Sequence, residues 1–517
     1  MVETTMDVED RSSTRGNHLI DALLAGHDGA RPCIEVHGTD RSLSYGDVRD
    51  LSARVAAALV AMGVAPGDRV AAQVPKSVEA LMVYLGVVRA GGVFLPLNTG
   101  YTPSEVEYFV SDAEPTVVLC DPKDREAIAP IAERCGARLE TQGVAEGSFL
   151  DAIPGDATFA DVPRGPDDLA AILYTSGTTG RSKGAMLSHR NLESNTTTLL
   201  DSWRFSGDDV LVHALPIFHT HGLFVATNCV LMAGASMILL GKFEPRAVAD
   251  LLPRATVLMG VPTFYVRLLS EPDLGEKARD MRLFVSGSAP LLAETHEAFS
   301  AATGHAILER YGMTETNMNT SNPYDGERRA GTVGFPLPGV ELRVVDPEAA
   351  VPRELPQGEI GMIEVRGPNV FQGYWRMPEK TAEELRPDGW FVTGDLGKVD
   401  DRGYVHIVGR GKDLIISGGF NVYPKEVEGV IDELPGVEES AVVGVPHPDF
   451  GEGVVAVVVR QPGASLDAAA IEASLTDRLA RYKQPKLIDF VDELPRNTMG
   501  KVQKNVLRDT YAGAFKP

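Results

Sequence analysis

The chain is predicted to be an α/β protein with a large N-terminal part and a small C-terminal domain. Three observations carry this. Apolar runs and helix-period segments alternate from His18 onward, the pattern of parallel sheets flanked by helices. The alternation restarts after Asp413 and fills about a hundred residues, enough for a domain of its own. The length, 517 residues, favours several domains over one.

The elements follow in order. Asp68–Val74 reads as a strand. Ser77 then looks like an N-cap for a helix carrying Val78, Leu81, Met82, Leu85 and Val88, which stops at Gly91-Gly92. Pro115–Cys120 is a second strand and Asp124–Cys135 a second helix. A polar connector with Pro154, Gly155, Pro163, Gly165 and Pro166 leads to the apolar strand Leu169–Leu173. Met281–Leu291 is a strand running into a small-residue loop, the place where α/β sheets bind ligands. In the C-terminal part, Pro424 opens a helix with Val427, Val430, Ile431 and Leu434 on one face. Strands Ser440–Val445 and Val454–Arg460, a helix Asp467–Tyr482 and a strand Leu487–Val491 follow.

Composition narrows the function. Forty-nine basic and 72 acidic residues leave a net charge of -23, which argues against nonspecific binding to nucleic acid or anionic membrane. Any anionic ligand must therefore be held by local positive groups. Cys33, Cys120, Cys135 and Cys229 lack metal-ligand spacing and read as reduced thiols of a cytoplasmic protein. Residues 1–16 are polar and acidic, predicted disordered, and unlike a signal or transit peptide. No apolar stretch reaches membrane-spanning length.

The stretch Tyr174–Gly184, Tyr-Thr-Ser-Gly-Thr-Thr-Gly-Arg-Ser-Lys-Gly, organises the rest. Glycines let backbone N–H groups approach an anion, and hydroxyls and cations complete the cradle. A Gly/Ser/Thr loop is often only a flexible turn, but this one follows a strand and ends in lysine. It is not the Walker loop, because Gly180 is followed by Arg181-Ser182-Lys183. Further along, Pro216–Gly222 places His219 and His221 in a shaped turn. Arg282 is odd in an apolar strand: it is either a solvent-facing strand-end arginine or a buried anion anchor. Tyr311–Thr316 sets an aromatic face, a hydroxyl and a carboxylate together, which suits a nucleobase, a phosphate and Mg²⁺. Lys501, in the polar loop Pro495–Lys501, reads by itself as a surface lysine.

Together and in this order, Tyr174–Gly184, Tyr311–Thr316, Thr393–Asp395, Gly409–Asp413 and Pro495–Lys501 resemble the adenylate-forming superfamily of acyl-CoA synthetases, luciferases and peptide-synthetase adenylation domains. Within it the chain looks most like malonyl-CoA synthetases, most densely in Phe218–Phe224, Ser286–Leu291, Arg310–Tyr324 and Asn497–Lys504. The resemblance implies stacked α/β subdomains with a β-rich portion over residues 17–410. It also implies a small mobile α+β lid over 411–517, pivoting near Lys412.

The implied activity is ATP-dependent ligation of malonate, and of methylmalonate, to CoA through an acyl-adenylate. Another short acid, or adenylation in service of a carrier protein, remain alternatives. The cofactors implied are ATP, Mg²⁺ and CoA. By resemblance, Thr175, Ser176, Gly177, Thr178, Thr179, Gly180 and Lys183 hold the β- and γ-phosphates. Ser288, Ala289, Glu309, Arg310, Tyr311 and Gly312 form the nucleotide site, with Tyr311 stacking on adenine. Thr314 contacts the α-phosphate, Glu315 binds Mg²⁺, and Asp395 and Arg410 hold the ribose. Lys501 reaches the oxygens joining the α-phosphate to the attacking carboxylate, in a context resembling one that lysine acetyltransferases modify. Ser417, Gly418 and Gly419 line the path of pantetheine. Arg282, Ser286, His219 and Met318 are the candidates for binding the acid.

Overall fold

A computed structural model describes residues 16–175, 182–349, 351–417, 420–448, 450–476, 478–479, 481–497 and 500–515. The acidic tail through Arg15 and the phosphate-loop positions Ser176, Gly177, Thr178, Thr179, Gly180 and Arg181 lie outside the described residues, as do Gly418 and Gly419. Among the described residues, four sheets organise the chain.

The first sheet has six strands in the spatial order Arg138–Thr141, Val117–Cys120, Arg69–Gln73, Val93–Pro96, Leu169–Thr175 and Lys183–Ser188. All its pairings are parallel except the last, which folds Lys183–Ser188 back on Leu169–Thr175 and sets Thr175 opposite Lys183. The second sheet has nine strands. Its centre runs parallel through Leu308–Met313, Leu283–Ser286, Val257–Gly260, Val210–His213, Ser236–Leu239 and Pro32–Val36. Antiparallel strands close both of its edges.

The helix Val78–Arg89 joins these two sheets. Its sequence is apolar on nearly every side, so it can be stable only when enclosed. Ser77 caps it, with Ala80 N–H donating to Ser77 Oγ at 3.1 Å, and Gly91 beyond its end adopts φ +73°. Tyr84 lies 5.6 Å between ring centroids from Phe94 of the first sheet and 5.6 Å from Phe224 of the second layer. Burying each of Leu81, Met82, Val83 and Leu85 contributes about 1.5–3 kcal/mol. Arg89, also buried, is satisfied by Asp161 at 2.5 Å and Ser52 at 2.8 Å.

A four-stranded antiparallel sheet, Glu341–Val345, Gly361–Arg366, Phe391–Val399 and Val405–Arg410, supplies the β-rich portion. The turn Gly411–Asp413, which contains Lys412, passes the chain to the C-terminal sheet. There Val437–His447 pairs antiparallel with Gly451–Arg460, which takes Leu487–Val491 as a parallel neighbour. The helix Pro424–Asp432 packs Val427 and Ile431 into the core, on the predicted face. One element is shorter than predicted: the helix begun at Ala468 ends at Thr476. Thr476 turns its hydroxyl onto Glu472 O at 2.9 Å, a local bond that competes with helix continuation. Among the described residues, no helix is long and apolar enough to cross a membrane.

Candidate active site

Parallel strands aim their C-terminal ends at one face, and ligands bind outside that edge. Here Val210–His213 leads into the turn Ala214–Thr220, Leu283–Ser286 into Gly287–Pro290, and Leu308–Met313 into Thr314–Thr316. Asp395 and Arg410 face this edge from the four-stranded sheet, where they are cross-strand partners.

The residues expected to hold the nucleotide already contact one another. Tyr311 OH donates to Asp395 Oδ2 at 2.5 Å, and Arg410 Nε lies 2.8 Å from Asp395 Oδ1. Burial, then the Asp395 carboxylate, drives the Tyr311 hydroxyl well above the usual phenol range. Ser288 adopts φ +71°, a strained conformation for a residue with a Cβ. Glu309 accepts from Leu291 N–H at 3.1 Å through Oε1, while its buried Oε2 has no partner among the described residues; burial pushes its carboxyl up to about 8. Asn317, at φ +51°, closes a turn so tight that a Cβ on Gly312 would collide with the Asn317 carbonyl. That turn presents Thr314 and Glu315.

The residues around Lys183, expected at the phosphates, form a polar cluster. Lys183 Nζ lies 3.0 Å from both carboxylate oxygens of Glu384 and 3.1 Å from Tyr374 OH. Tyr374 OH in turn reaches Glu315 Oε1 at 3.0 Å. Glu315 is 5% exposed, and burial raises its pKa. Glu384 and Tyr374 were not anticipated from the sequence.

A buried cation lies beside His219 and Ser286, two of the residues expected at the acid. Arg310 is 3% exposed, and among the described residues its Nε and Nη2 have no hydrogen-bond partner. Burial pushes its guanidinium down to about 9. Gly287 opposite it has no room for a side chain, since a Cβ there would sit 2.5 Å from Arg310 Cζ. Burial, then the charges of Lys501 and Arg310, hold the His219 imidazole at about 3, so it is neutral at pH 7. His221 is likewise neutral and reaches Ser288 Oγ at 3.4 Å. Among the described residues the buried hydroxyls of Ser286 and Thr220 have no partner. Met318 is buried, with its terminal methyl against Gly312.

The turn bearing His219 is anchored from the first sheet. Lys76 Nζ donates to His213 O at 2.8 Å and meets His213 Nδ1 at 3.0 Å, and His213 Nε2 faces Gly222 O at 2.9 Å. A ring nitrogen facing a carbonyl must carry the proton, so Nδ1 accepts from Lys76. Lys76 lines a cavity of about 250 Å³ bordered also by Phe94, Thr99, Lys123 and Phe218.

Lys501 comes from the C-terminal domain. Crowding by protein, then the charge of Arg410, lowers its pKa, and Asp395, Glu315 and Arg310 also lie within electrostatic reach.

Arg282 corrects the sequence reading. Its Nε and Nη2 grip Asp209 at 2.6 Å each, and Nη1 donates to Trp203 O at 3.0 Å. Four residues of strand span roughly 13 Å, so Arg282 sits at the opposite edge of the sheet from the end of Ser286. It clasps the start of strand Val210–His213 and is not an acid-binding residue.

The chain matches the AMP-binding enzyme over residues 24–375 and the AMP-binding enzyme C-terminal domain over 426–501. It belongs to the AMP-binding enzyme family. ATP-bound MatB from Rhodopseudomonas palustris is 63% identical and superposes with a TM-score of 0.94, covering 97% of this chain and 99% of that one. Feruloyl-CoA synthase of Amycolatopsis sp is 38% identical over 475 residues, 91% of this chain and 94% of that protein. Mitochondrial malonate–CoA ligase of Bos taurus is 36% identical over 486 residues, 86% of this chain and 82% of that protein. Family membership accounts for the two-part architecture.

Proposed function

We propose that this enzyme is a malonate–CoA ligase that forms AMP. The observation that carries the acid assignment is Arg310. A buried guanidinium with unpartnered donors is costly unless an anion completes it. A monocarboxylate spends its only charge at the reacting phosphorus and leaves Arg310 unpaired; a dicarboxylate brings a second. Neutral His219 and the free hydroxyl of Ser286 add donors without adding charge. The Bos taurus relative and the resemblance to malonyl-CoA synthetases support the same acid.

In the proposed chemistry, one malonate carboxylate attacks the α-phosphorus of ATP and expels pyrophosphate, giving malonyl-AMP. The CoA thiol then loses its proton and attacks the acyl carbon, and the carboxyl–phosphate bond breaks to release AMP. Thr175 and Lys183 hold the departing phosphates, and Thr314 the α-phosphate. Ser288, Ala289 and Tyr311 border adenine, and Asp395 and Arg410 take the ribose hydroxyls. Lys501 offsets the repulsion between two approaching anions. Glu315, a buried carboxylate beside the phosphate end, fits a hard cation, and Mg²⁺ held there would neutralise phosphate charge. Between the half-reactions the C-terminal domain pivots at Lys412, withdrawing Lys501 and bringing Ser417 toward the pantetheine path. The four cysteines, all free thiols, fit a reducing cytoplasm.

The test is AMP and acyl-CoA formation from ATP, CoA and Mg²⁺ with malonate, methylmalonate, succinate and acetate side by side. Malonate is expected to dominate, with methylmalonate second because apolar contacts reject one methyl weakly. Acetate or succinate dominating overturns the acid assignment. Adenylation without transfer to CoA points to a carrier-protein acceptor.

A further inference from the structure

We propose that Glu384 competes with pyrophosphate for the ammonium of Lys183 and so promotes release of pyrophosphate after adenylation. The proposal rests on the reading of Lys183 as a phosphate ligand. An ammonium has three donors. In this structure all three are taken: two by the oxygens of Glu384, at 3.0 Å each, and one by Tyr374 OH at 3.1 Å. A phosphate oxygen can be bound only by displacing one of them. The pair is largely shielded from solvent, with 16% and 22% of the two side chains exposed, so the exchange is one strong contact for another.

Glu384 is arranged to survive the exchange. Lys380 Nζ, one helical turn away, lies 3.0 Å from Glu384 Oε1, and Tyr374 OH donates to Oε2 at 2.5 Å. When Lys183 moves to the phosphates, the carboxylate keeps a cation and a donor. Its charge then stands beside a pyrophosphate that has lost its covalent link to AMP, and recapture of Lys183 removes a cation from that product. Tyr374 joins the same cluster to Glu315, so the carboxylate expected to face Mg²⁺ and the carboxylate that withdraws the lysine share one hydroxyl. Glu384 is thus a positioning residue: it acts on the phosphates through Lys183.

The test measures pyrophosphate inhibition of the forward reaction and KM for ATP in the full-length enzyme. Glu384→Gln keeps the shape and removes the charge. The expected result is a fall in both the pyrophosphate inhibition constant and KM for ATP, by about three- to tenfold, the net scale of one hydrogen bond. Lys380→Met frees Glu384 to hold Lys183 harder and is expected to move both constants upward. That upward shift should vanish in the Glu384→Gln background, whereas a general loss of positive charge would persist there. An inhibition constant unchanged or raised by Glu384→Gln overturns the proposal. Lys183→Met separates the two levels: if it weakens ATP and pyrophosphate binding while Glu384→Gln changes neither, only the role of Glu384 fails. If Lys183→Met leaves both unchanged, the reading of Lys183 fails with it.

Discussion

The ammonium of Lys76 rests on His213, 2.8 Å from its carbonyl oxygen and 3.0 Å from Nδ1, and both of these acceptors are neutral. Lys76 is half-buried, with Asp121 bordering the same cavity, and desolvation lowers its pKa well below the ordinary lysine value; it connects the first sheet to the turn that carries His219 and His221. Lys76→Met is expected to raise KM for the acid by about tenfold or more, the scale of hydrogen bonds to a charged group, with KM for ATP little changed. Steady-state kinetics with each substrate varied in turn would show it. A parallel rise in both constants would make Lys76 a general support of the domain.

The two arginines of the second sheet should separate cleanly. Arg310→Met is expected to cost malonate activity at least about a hundredfold in kcat/KM relative to acetate, because the distal carboxylate loses its cation. Arg310→Lys keeps the charge but not the fork, and should recover part of the loss. Arg282→Leu should leave the malonate-to-acetate ratio alone. It strands Asp209, so it should lower stability by about 3–5 kcal/mol, read from chemical denaturation.

Glu309 makes stability depend on pH in a definite direction. Burial raises its carboxyl from 4.5 to about 8 in the folded chain. Between those values the native state holds a proton that the unfolded chain releases, so stability is lost as pH rises through the window. Glu309→Gln should match the parent near pH 5 and exceed it near pH 8, by on the order of 4 kcal/mol. Urea midpoints of both proteins across pH 5–8 would reveal the difference; parallel curves would show that Glu309 is ionised throughout.

Lys501→Ala should divide the two half-reactions. Loss of a cation at the reacting phosphorus is expected to slow adenylation by about a hundred- to a thousandfold. Thioester formation from supplied malonyl-AMP should be nearly unaffected. Equal loss in both steps would mean that Lys501 serves the whole cleft and not the first chemistry alone.

Much of the fold was legible because local signals agreed with each other. Ser77 before an apolar run gave a capped helix, and the runs at 68–74, 115–120 and 487–491 became strands within two residues of their expected bounds. The shared core of the two sheets was not legible, since nothing local tells a helix that it will be covered from both sides. At the site, the glycine-rich loop stood out by composition and Asp395 only through the family resemblance, whereas Glu384 gave no signal: it meets Lys183 across 201 residues and lies in an ordinary acidic helix end. The choice between Arg282 and Arg310 shows the limit. Both are arginines in apolar strands, and only the strand direction decides, because Arg282 lies at the start of its strand with Asp209 beside it. Two adjacent charges, Glu309 and Arg310, inside a buried strand were the better signal.

The enclosed helix Val78–Arg89 also sets a schedule for biosynthesis. Tyr84 packs against Phe224, and its hydroxyl donates to Asn228 Oδ1 at 3.2 Å, a partner 144 residues further along. At ribosomal rates that interval lasts roughly ten to thirty seconds. The first sheet itself is completed only when Ser188 has been made, and from then until Asn228 follows the nascent chain carries that sheet with one apolar helix face uncovered. This stretch is where a chaperone would engage the emerging enzyme, and where pausing of translation would be most harmful.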